Sequence, residues 1–201
     1  SYIGGVEPFI LIAVPLFIVA GELLSQGGVG KRIVQFARVL FGFLPGGLGV
    51  VTVASCLMFG GVSGSAIADV SAIGGAMIPQ MVKRGFDRDF AVNVTITAAL
   101  VALLVPPSHN LILYSASAGG GISIADLFAA GIVPALLMTL TLMLTGWAIA
   151  RRRGYATESF PGGRAVLVRL VAALPGLLLV ALIFVGIKAG IFTAIESASI
   201  A

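Results

Sequence analysis

Three oxygen-bearing side chains lie close together in a glycine-rich stretch of otherwise apolar sequence. The stretch reads GGVSGSAIAD over residues 60–69, and its polar groups are Ser63, Ser65 and Asp69. Hydroxyl, carboxylate and backbone carbonyl oxygens are hard ligands, which small hard cations prefer. A charged side chain at the centre of a membrane span costs about 2.5–3.5 kcal/mol on insertion scales, so it generally marks an ion or solute pathway. The residues alone leave one alternative open, a contact between small-residue helices in which Asp69 pairs with a lysine elsewhere.

A second polar group follows two consecutive prolines in LVPPSHNLILY, residues 104–114. Because Pro106 and Pro107 have no N–H, the helix that contains them should break near the middle of the apolar run 91–118. Helices broken at mid-membrane build the ion and substrate sites of many secondary transporters, whereas a simple proline kink is the other interpretation. We predict a solute site at this break, with polar side chains from Ser108, His109 and Asn110.

The chain contains one histidine, His109, and one cysteine, Cys56, so neither a histidine-rich nor a cysteine-based metal centre is expected. We interpret His109 as a hydrogen-bonding wall residue, with a substrate contact or a proton carrier as alternatives. Gly61-Val62-Ser63-Gly64 also fits the GxSG pattern of rhomboid-type intramembrane serine proteases, in which His109 would be the base of a Ser–His dyad. That short pattern is weak in a chain with 27 glycines. We therefore predict that the protein is not an enzyme.

The composition indicates a membrane protein. Hydrophobic residues make up 59% of the 201 residues and charged residues 10%, and the mean hydropathy is +1.13. Soluble domains carry about 25% charged residues, so a soluble globular protein, a disordered chain and a nucleic-acid binder are excluded, despite a pI near 9.7. The chain begins and ends within apolar sequence, and we interpret it as a piece of a longer membrane protein without a signal peptide.

The apolar stretch 49–82 determines the predicted topology. As one helix it would be about 50 Å long, which exceeds the ~30 Å hydrocarbon core, yet it is too short for two full crossings. Its centre is rich in glycine and serine, so we predict a re-entrant hairpin with two arms of roughly 13 residues, each about 20 Å long. With this hairpin, 11 of the 12 lysines and arginines lie on one face and only Lys188 lies opposite. The positive-inside rule favours that arrangement, with the basic segments 31–38, 83–88 and 151–169 in the cytoplasm.

The remaining segments complete a polytopic all-α bundle that interacts with the lipid bilayer. Lys31, Arg32, Gln35 and Arg38 share one helical face, which predicts an amphipathic helix at the membrane interface; a helix packed on the protein with a solvated face is the alternative. We predict four parts. They are a scaffold helix with an interfacial arm (1–48), half of a transport domain (49–118), a transmembrane helix with a basic loop (119–169), and a transmembrane helix that begins a second repeat (170–201).

Several segments resemble, in order, the large membrane subunit of tripartite ATP-independent periplasmic (TRAP) transporters. They are PLFIVAGELLSQGGVGKRIVQFARVLFG (15–42), GGVSGSAIADVSAIGGAMIPQMVKRGFDRDFA (60–91), VPPSHNLILYS (105–115), ISIADLFAAGIVPALLM (122–138) and GIFTAIESA (190–198). The resemblance covers nearly the whole chain and roughly the first half of such a subunit. It implies an elevator-type, Na⁺-driven importer of small organic acids in the bacterial inner membrane. A periplasmic solute-binding protein and a small membrane subunit would be its partners.

The resemblance also assigns residues. It places Na⁺ near Ser63, Ser65 and Asp69, with backbone oxygens from Ala102, Val105 and Pro107. The solute, a carboxylate, is expected beside Gly64, Ser65, Ser108, His109 and Asn110. Two departures from the family pattern stand out: His109 and Asn110 replace more frequent apolar residues, and Ile195 stands where threonine is commoner. A related Na⁺/dicarboxylate carrier that works without a binding protein is the rival transport hypothesis.

Overall fold

The computed structural model describes residues 13–118, 122–155 and 157–189, together with residues 191, 193 and 196, and its regular elements are all helical. In chain order the helices are α1 (Ala13–Gln26), α2 (Val29–Phe41), α3 (Gly47–Ser63), α4 (Ala66–Asp69), α5 (Gly75–Lys83), α6 (Arg88–Ala99), α7 (His109–Ser117), α8 (Ile124–Arg152) and α9 (Gly163–Lys188). A π-helical turn, Val70–Gly74, joins α4 to α5, and a 3₁₀ turn, Leu100–Leu103, follows α6. The predicted all-α class is confirmed for the described residues.

Helix α3 and the segment α4–α5 lie side by side as the two arms of a hairpin. The hydroxyl of Thr52, near the start of α3, lies 3.6 Å from Sδ of Met81, near the end of α5. The first arm has 17 residues and the second covers residues 66–83, so each is about 25–27 Å long. Both are longer than predicted, because the helix continues through the glycines at 60 and 61 and ends only at Gly64. Their insertion into a bilayer stays a prediction.

The run 91–118 is interrupted at its two prolines. Helix α6 ends at Ala99, the 3₁₀ turn follows, and regular helix resumes at His109. Ser108 precedes the new helix in an extended conformation, with φ −103° and ψ 126°. The N–H of Val105 still donates to the carbonyl of Val101 at 3.2 Å, and the carbonyl of Ser108 accepts from the N–H of Ile112 at 3.3 Å. The helical hydrogen bonding is therefore interrupted between these residues, where Pro106 and Pro107 have no N–H to donate.

Helices α8 and α9 are long and apolar enough to cross a membrane, judged by length and composition. Only 22% and 28% of their apolar windows are buried, whereas the core helix of a soluble protein would be mostly covered. Their outward faces carry large apolar side chains, including Val133, Leu137, Leu144, Leu167 and Leu178. Such faces suit contact with lipid, which solvates apolar side chains without cost. Ser123 caps the start of α8, and Arg151 and Arg152 lie in its last turn, where cations interact favourably with the helix dipole.

Helix α2 packs its apolar face on the protein. Ile33, Val34 and Ala37 are buried and belong to one core cluster with α3 and α5, and α2 contacts both α3 and α9. Lys31 and Arg32 are exposed. This packing is the one described by the alternative interpretation of the amphipathic segment, a helix docked on the protein with a solvated face. Contact between that polar face and lipid headgroups stays a prediction.

The three basic segments meet at one end of the bundle. Glu158, in the loop before α9, accepts hydrogen bonds from Nη2 of Arg38 at 2.6 Å and Nε of Arg38 at 2.7 Å. It also forms an ion pair with Nη1 of Arg84 at 2.8 Å. Because Arg38 precedes the hairpin and Arg84 follows it, the chain leaves and returns to the same end. The hydrogen bonds that Arg38 donates to Glu158 raise the pKa of Arg38 above its ordinary value, so the guanidinium stays charged. Which side of the membrane this end faces stays a prediction.

Replacing Glu158 with glutamine is expected to lower the free energy of unfolding by about 1 kcal/mol, since partly exposed ion pairs contribute little and this one includes a bidentate arginine. The measurement is thermal unfolding of the purified full-length protein. Lys83→Gln is the matched control, because Lys83 is exposed at the same end and forms no ion pair among the described residues. Equal effects of the two substitutions would show that the Arg38–Glu158–Arg84 cluster adds no specific stability.

Two segment boundaries differ from the prediction. Helix α9 begins at Gly163, seven residues before the predicted start at 170, so the basic loop is shorter than 151–169. The reason is that hydropathy locates the uncharged part of a helix, whereas the first two turns of α9 contain Arg164 and Arg169. Predictions for residues 1–12 and for Ile195 lie outside the described residues.

Candidate functional site

The tip of the hairpin is formed by Ser63, Gly64 and Ser65. Gly64 ends α3 in the left-handed region, with φ 58° and ψ 11°, and its N–H donates to the carbonyl of Gly60. Ser65 is extended and caps α4, accepting a hydrogen bond from the N–H of Ala68 at 3.5 Å. The N–H of Ser65 in turn donates to Oγ of Ser63 at 3.3 Å. The two serines are therefore fixed by the chain reversal itself.

Asp69 lies fully buried directly behind the tip. Its Oδ1 accepts a 2.6 Å hydrogen bond from the hydroxyl of Ser63, while its Oδ2 is buried and has no hydrogen-bond partner among the described residues. A buried carboxylate oxygen without a partner is costly unless a cation or donor compensates it. The π-helical turn that begins at Val70 follows at once, and such turns are frequent at functional sites.

The hairpin tip and the proline break face each other across very short distances. A Cβ added to Gly60 would lie 2.7 Å from Cα of Ala102, and one added to Gly61 would lie 3.4 Å from a methyl group of Val105. A Cβ on Gly64 would overlap the carbonyl oxygen of Pro107. The structure thus brings together the residues predicted to bind a cation, which are Ser63, Ser65, Asp69, Ala102, Val105 and Pro107.

Ser108 and Asn110 are placed differently from the prediction that both contact a solute. Ser108 is fully buried, and its hydroxyl donates a 2.6 Å hydrogen bond to the carbonyl of Leu103, one of the acceptors freed by the prolines. Asn110 is exposed in the first turn of α7. Within the described part of the chain, neither lines the cavity beside the tip. Their position favours a role in the shape of the break for Ser108 and leaves Asn110 on the outer surface.

His109 lies against the hairpin tip. Its side chain is buried, its Nε2 has no hydrogen-bond partner among the described residues, and this atom lies 3.5 Å from the position that a Cβ of Gly64 would take. The ring of Phe17 lies 6.4 Å away, centroid to centroid. The hydroxyl of Ser63 donates to Asp69 and not to His109. The Ser–His dyad of the protease hypothesis is therefore not formed.

A cavity of about 450 Å³ opens between α1, the hairpin tip and α7. Ser63, Ser65 and His109 line it, as the sequence predicts, but so do residues that the sequence interpretation missed: Glu22 and Ser25 of α1 and Ser71 of the π-helical turn. Because Glu22 ends the first apolar run of the sequence, its position alone indicates an interfacial residue. The spacing of Ile18, Glu22 and Ser25 places them on one helical face and was the available indication.

The donor set at the tip suits a small alkali cation. Its groups are hydroxyls, one carboxylate and backbone carbonyls, all of them hard oxygen ligands. No group of three or more His, Cys, Asp or Glu side chains that would hold a metal ion is found within the described residues. Because Oδ2 of Asp69 is buried and accepts no hydrogen bond among the described residues, a cation at this position would compensate the negative charge of the carboxylate. Na⁺ therefore fits the residues present.

Comparison with known proteins gives one family over the whole chain. The family model described as the tripartite ATP-independent periplasmic transporter, DctM component, matches residues 1–201. The C4-dicarboxylate TRAP transporter large permease protein DctM of Vibrio cholerae is 40% identical over 193 residues, which are 96% of this chain and 42% of that protein.

Relatives with other named solutes are similarly related. The sialic acid TRAP transporter large permease protein SiaM of Vibrio cholerae is 37% identical over 98% of this chain and 46% of its own length. The 2,3-diketo-L-gulonate TRAP transporter large permease protein YiaN of Escherichia coli is 34% identical over all of this chain and 47% of its own. The chain spans somewhat less than half the length of these three relatives. The chain is 34–40% identical to all three relatives, so sequence identity does not distinguish among the three solutes in their names.

Proposed function

The chain belongs to the DctM component family of tripartite ATP-independent periplasmic transporters, and from this premise we propose that the full-length permease imports a small organic acid together with Na⁺. The observation that carries the proposal is the buried Asp69 carboxylate, held by Ser63 at the hairpin tip with one oxygen unpartnered. Positive charge at this point would offset the cost of burying the carboxylate.

In the proposed mechanism, Na⁺ bound near Asp69 links the two breaks in the fold. Ser63 and Ser65 provide oxygens from the hairpin, and the carbonyls of Ala102, Val105 and Pro107 provide them from the break. The close approach of Gly64 to Pro107 supports this pairing. Because Ser63 and Ser65 also line the cavity, an ion that fixes their positions would prepare the wall against which the solute binds. Ion and solute binding would then favour each other, as coupled transport requires.

The hairpin and the broken helix are proposed to move together in an elevator-type transport step. The close approach of Gly60 to Ala102 and of Gly64 to Pro107 supports this, since segments packed at such short distances tend to move as one unit. Helix α1 supplies the opposite wall of the cavity, so a displacement of the tip relative to α1 would open or close access to the solute. Helix α2 and its ion pairs to Glu158 would lie in the connecting arm.

We propose an inner-membrane location with the Arg38–Glu158–Arg84 end in the cytoplasm. The clustering of three basic segments at that end supports this orientation through the positive-inside rule. The partners proposed are the small membrane subunit and a periplasmic solute-binding protein, which the family description as a tripartite periplasmic transporter supports. Lipid would cover the apolar outer faces of α8 and α9.

The test is uptake of a radiolabelled organic acid into proteoliposomes that contain the full-length permease and its small subunit, with the solute-binding protein outside. We expect uptake driven by an inward NaCl gradient and none with KCl. Equal uptake in both salts would contradict Na⁺ coupling. Uptake that is unchanged when the binding protein is omitted would favour the rival binding-protein-independent carrier, and cleavage of a membrane peptide without transport would favour the protease.

A further inference from the structure

The cavity beside the hairpin tip has an unusual polar lining for a site that accepts an acid. Four serines, Ser25, Ser63, Ser65 and Ser71, line it together with His109. No lysine or arginine is among its lining residues in the part of the chain that the structure describes. Hydroxyls and imidazole both accept and donate hydrogen bonds, so this wall matches a solute that carries hydroxyl groups.

Glu22 adds a carboxylate on the opposite side of the same cavity. It lies on α1 and lines the cavity, whereas Asp69 is fully buried behind the hairpin tip and is not among the lining residues. The amide of Gln26 donates a 2.9 Å hydrogen bond to Oε1 of Glu22, which holds the carboxylate in place. The Glu22 side chain is exposed, so its Oε2 is accessible to a ligand.

The two ends of the cavity therefore favour different functional groups in a bound solute. At the tip end, the proposed Na⁺ would favour a carboxylate. At the α1 end, Glu22 disfavours a second carboxylate through like-charge repulsion and favours a hydrogen-bond donor. A dicarboxylate with two charged ends would need a cationic partner that this wall does not contain. A monocarboxylate with several hydroxyls satisfies both ends.

We propose that Glu22 is a specificity-determining residue, and that the solute of this permease is a polyhydroxylated monocarboxylate, a sugar acid in chemical class, with dicarboxylates rejected. The inference rests on the proposed function, since it assumes that the cavity binds the transported acid. It goes further because the relatives named for dicarboxylates, sialic acid and a keto sugar acid do not decide the class by identity. The carboxylate on α1 decides it.

The experiment measures binding to the purified full-length permease with its small subunit, in NaCl, by the rise in thermal unfolding temperature as each acid is titrated. The binding protein is left out, so its own selectivity does not enter. Gluconate is the probe for a polyhydroxylated monocarboxylate and succinate the probe for a dicarboxylate. We expect gluconate to act at a concentration at least about tenfold lower than succinate, the scale that a single unfavourable charge contact produces.

Glu22→Gln should raise the affinity for succinate and reduce the preference for gluconate by about tenfold, because the repulsion is removed while the side-chain shape is kept. Ser25→Ala should weaken gluconate without improving succinate. Asp126→Asn is the matched control, since it removes an exposed carboxylate in the first turn of α8, outside the cavity, and should leave the ratio unchanged.

The outcomes distinguish failure of this inference from failure of the proposed transport function. Equal or tighter binding of succinate by the unmodified protein overturns the inference and leaves acid transport standing, as does an unchanged ratio in Glu22→Gln. Stronger stabilisation by an amino acid such as glutamine than by gluconate also overturns it, because Glu22 would then be binding the ammonium group of the amino acid. Stabilisation by none of these solutes, where Na⁺ still stabilises, overturns both the inference and the proposed class of solute.

Discussion

Replacing Asp69 with asparagine is expected to abolish the stabilisation of the full-length permease by Na⁺. A ligand that binds only the folded state stabilises it by RT ln(1 + [L]/Kd), which is about 2.7 kcal/mol when Na⁺ is at 100 times its Kd. The unmodified protein should therefore unfold at a higher temperature in NaCl than in equal KCl. In Asp69→Asn the two salts should give the same unfolding temperature, because the unpartnered Oδ2 that calls for positive charge is gone.

The same substitution should leave stability in KCl unchanged or slightly raised. Asparagine keeps an oxygen that accepts from the hydroxyl of Ser63, and it removes a buried charge whose desolvation is costly. This crossing pattern, a loss in NaCl without a loss in KCl, distinguishes a lost ion from a damaged fold. Equal losses in both salts would mean that Asp69 is structural, and an intact response to Na⁺ would place the ion elsewhere.

Two substitutions test whether the effect is specific to this carboxylate. Asp126→Asn makes the same chemical change at an exposed position of α8 and should preserve the difference between the salts. Ser55→Ala removes a buried hydroxyl of α3 that has no hydrogen-bond partner among the described residues. It should be neutral or slightly stabilising in both salts, since that hydroxyl is desolvated without a compensating bond.

The breaks in the helices were predictable because they depend on local chemistry. Because two consecutive prolines have no N–H groups, they must interrupt the helix between α6 and α7 whatever it packs against. A glycine in the left-handed region is a common end for a helix. The sequence therefore predicts a hairpin tip within the glycine- and serine-rich centre of 49–82 and a break near the middle of 91–118, and the structure has them at Gly64 and at residues 104–108. It also predicts that Ser63 and Asp69 serve one ion site. The two side chains share a 2.6 Å hydrogen bond, and the ion site itself stays a prediction.

The composition of the cavity was less predictable because it depends on packing between distant segments. Glu22 reaches the cavity only because α1 packs on the hairpin and on α7. The sequence around residue 22 predicts neither contact. Ser108 was expected to face a solute, but the freed carbonyl of Leu103 takes its hydroxyl. Whether the Ser108 hydroxyl bonds to a ligand or to the backbone depends on the geometry of the break.

The lengths of the hairpin arms were underestimated for the same reason. Glycine weakens a helix by about 1 kcal/mol relative to alanine, so the sequence indicated a loose centre from residue 60 onwards. In the structure Gly60 packs tightly on Ala102 and Gly61 packs tightly on Val180 of α9, and these close contacts leave no room for side chains. Tertiary packing therefore keeps these glycines helical, although their intrinsic preference opposes it.

Replacing Gly64 with alanine is expected to be the most damaging small substitution at the tip. Its φ of 58° lies in the left-handed region, where a Cβ costs roughly 1–2 kcal/mol. The added carbon would also overlap the carbonyl oxygen of Pro107, so the hairpin tip and the proline break would have to separate. We expect a loss of at least about 2 kcal/mol in the free energy of unfolding, together with loss of the Na⁺ response, because both halves of the proposed ion site move apart.

Gly75→Ala provides the matched control, with an effect of opposite sign. Gly75 begins α5 with ordinary helical geometry in the preceding residue and in itself, at φ −57° and ψ −35°, and a Cβ there would meet no atom within 4 Å. Alanine should therefore stabilise the second arm by about 0.4–1 kcal/mol, since it reduces the entropy of the unfolded chain. Thermal unfolding of both variants in NaCl and KCl measures the contrast. If Gly64→Ala unfolds no earlier than the unmodified protein and keeps its response to Na⁺, then the contact between the tip and Pro107 does not hold the ion site together.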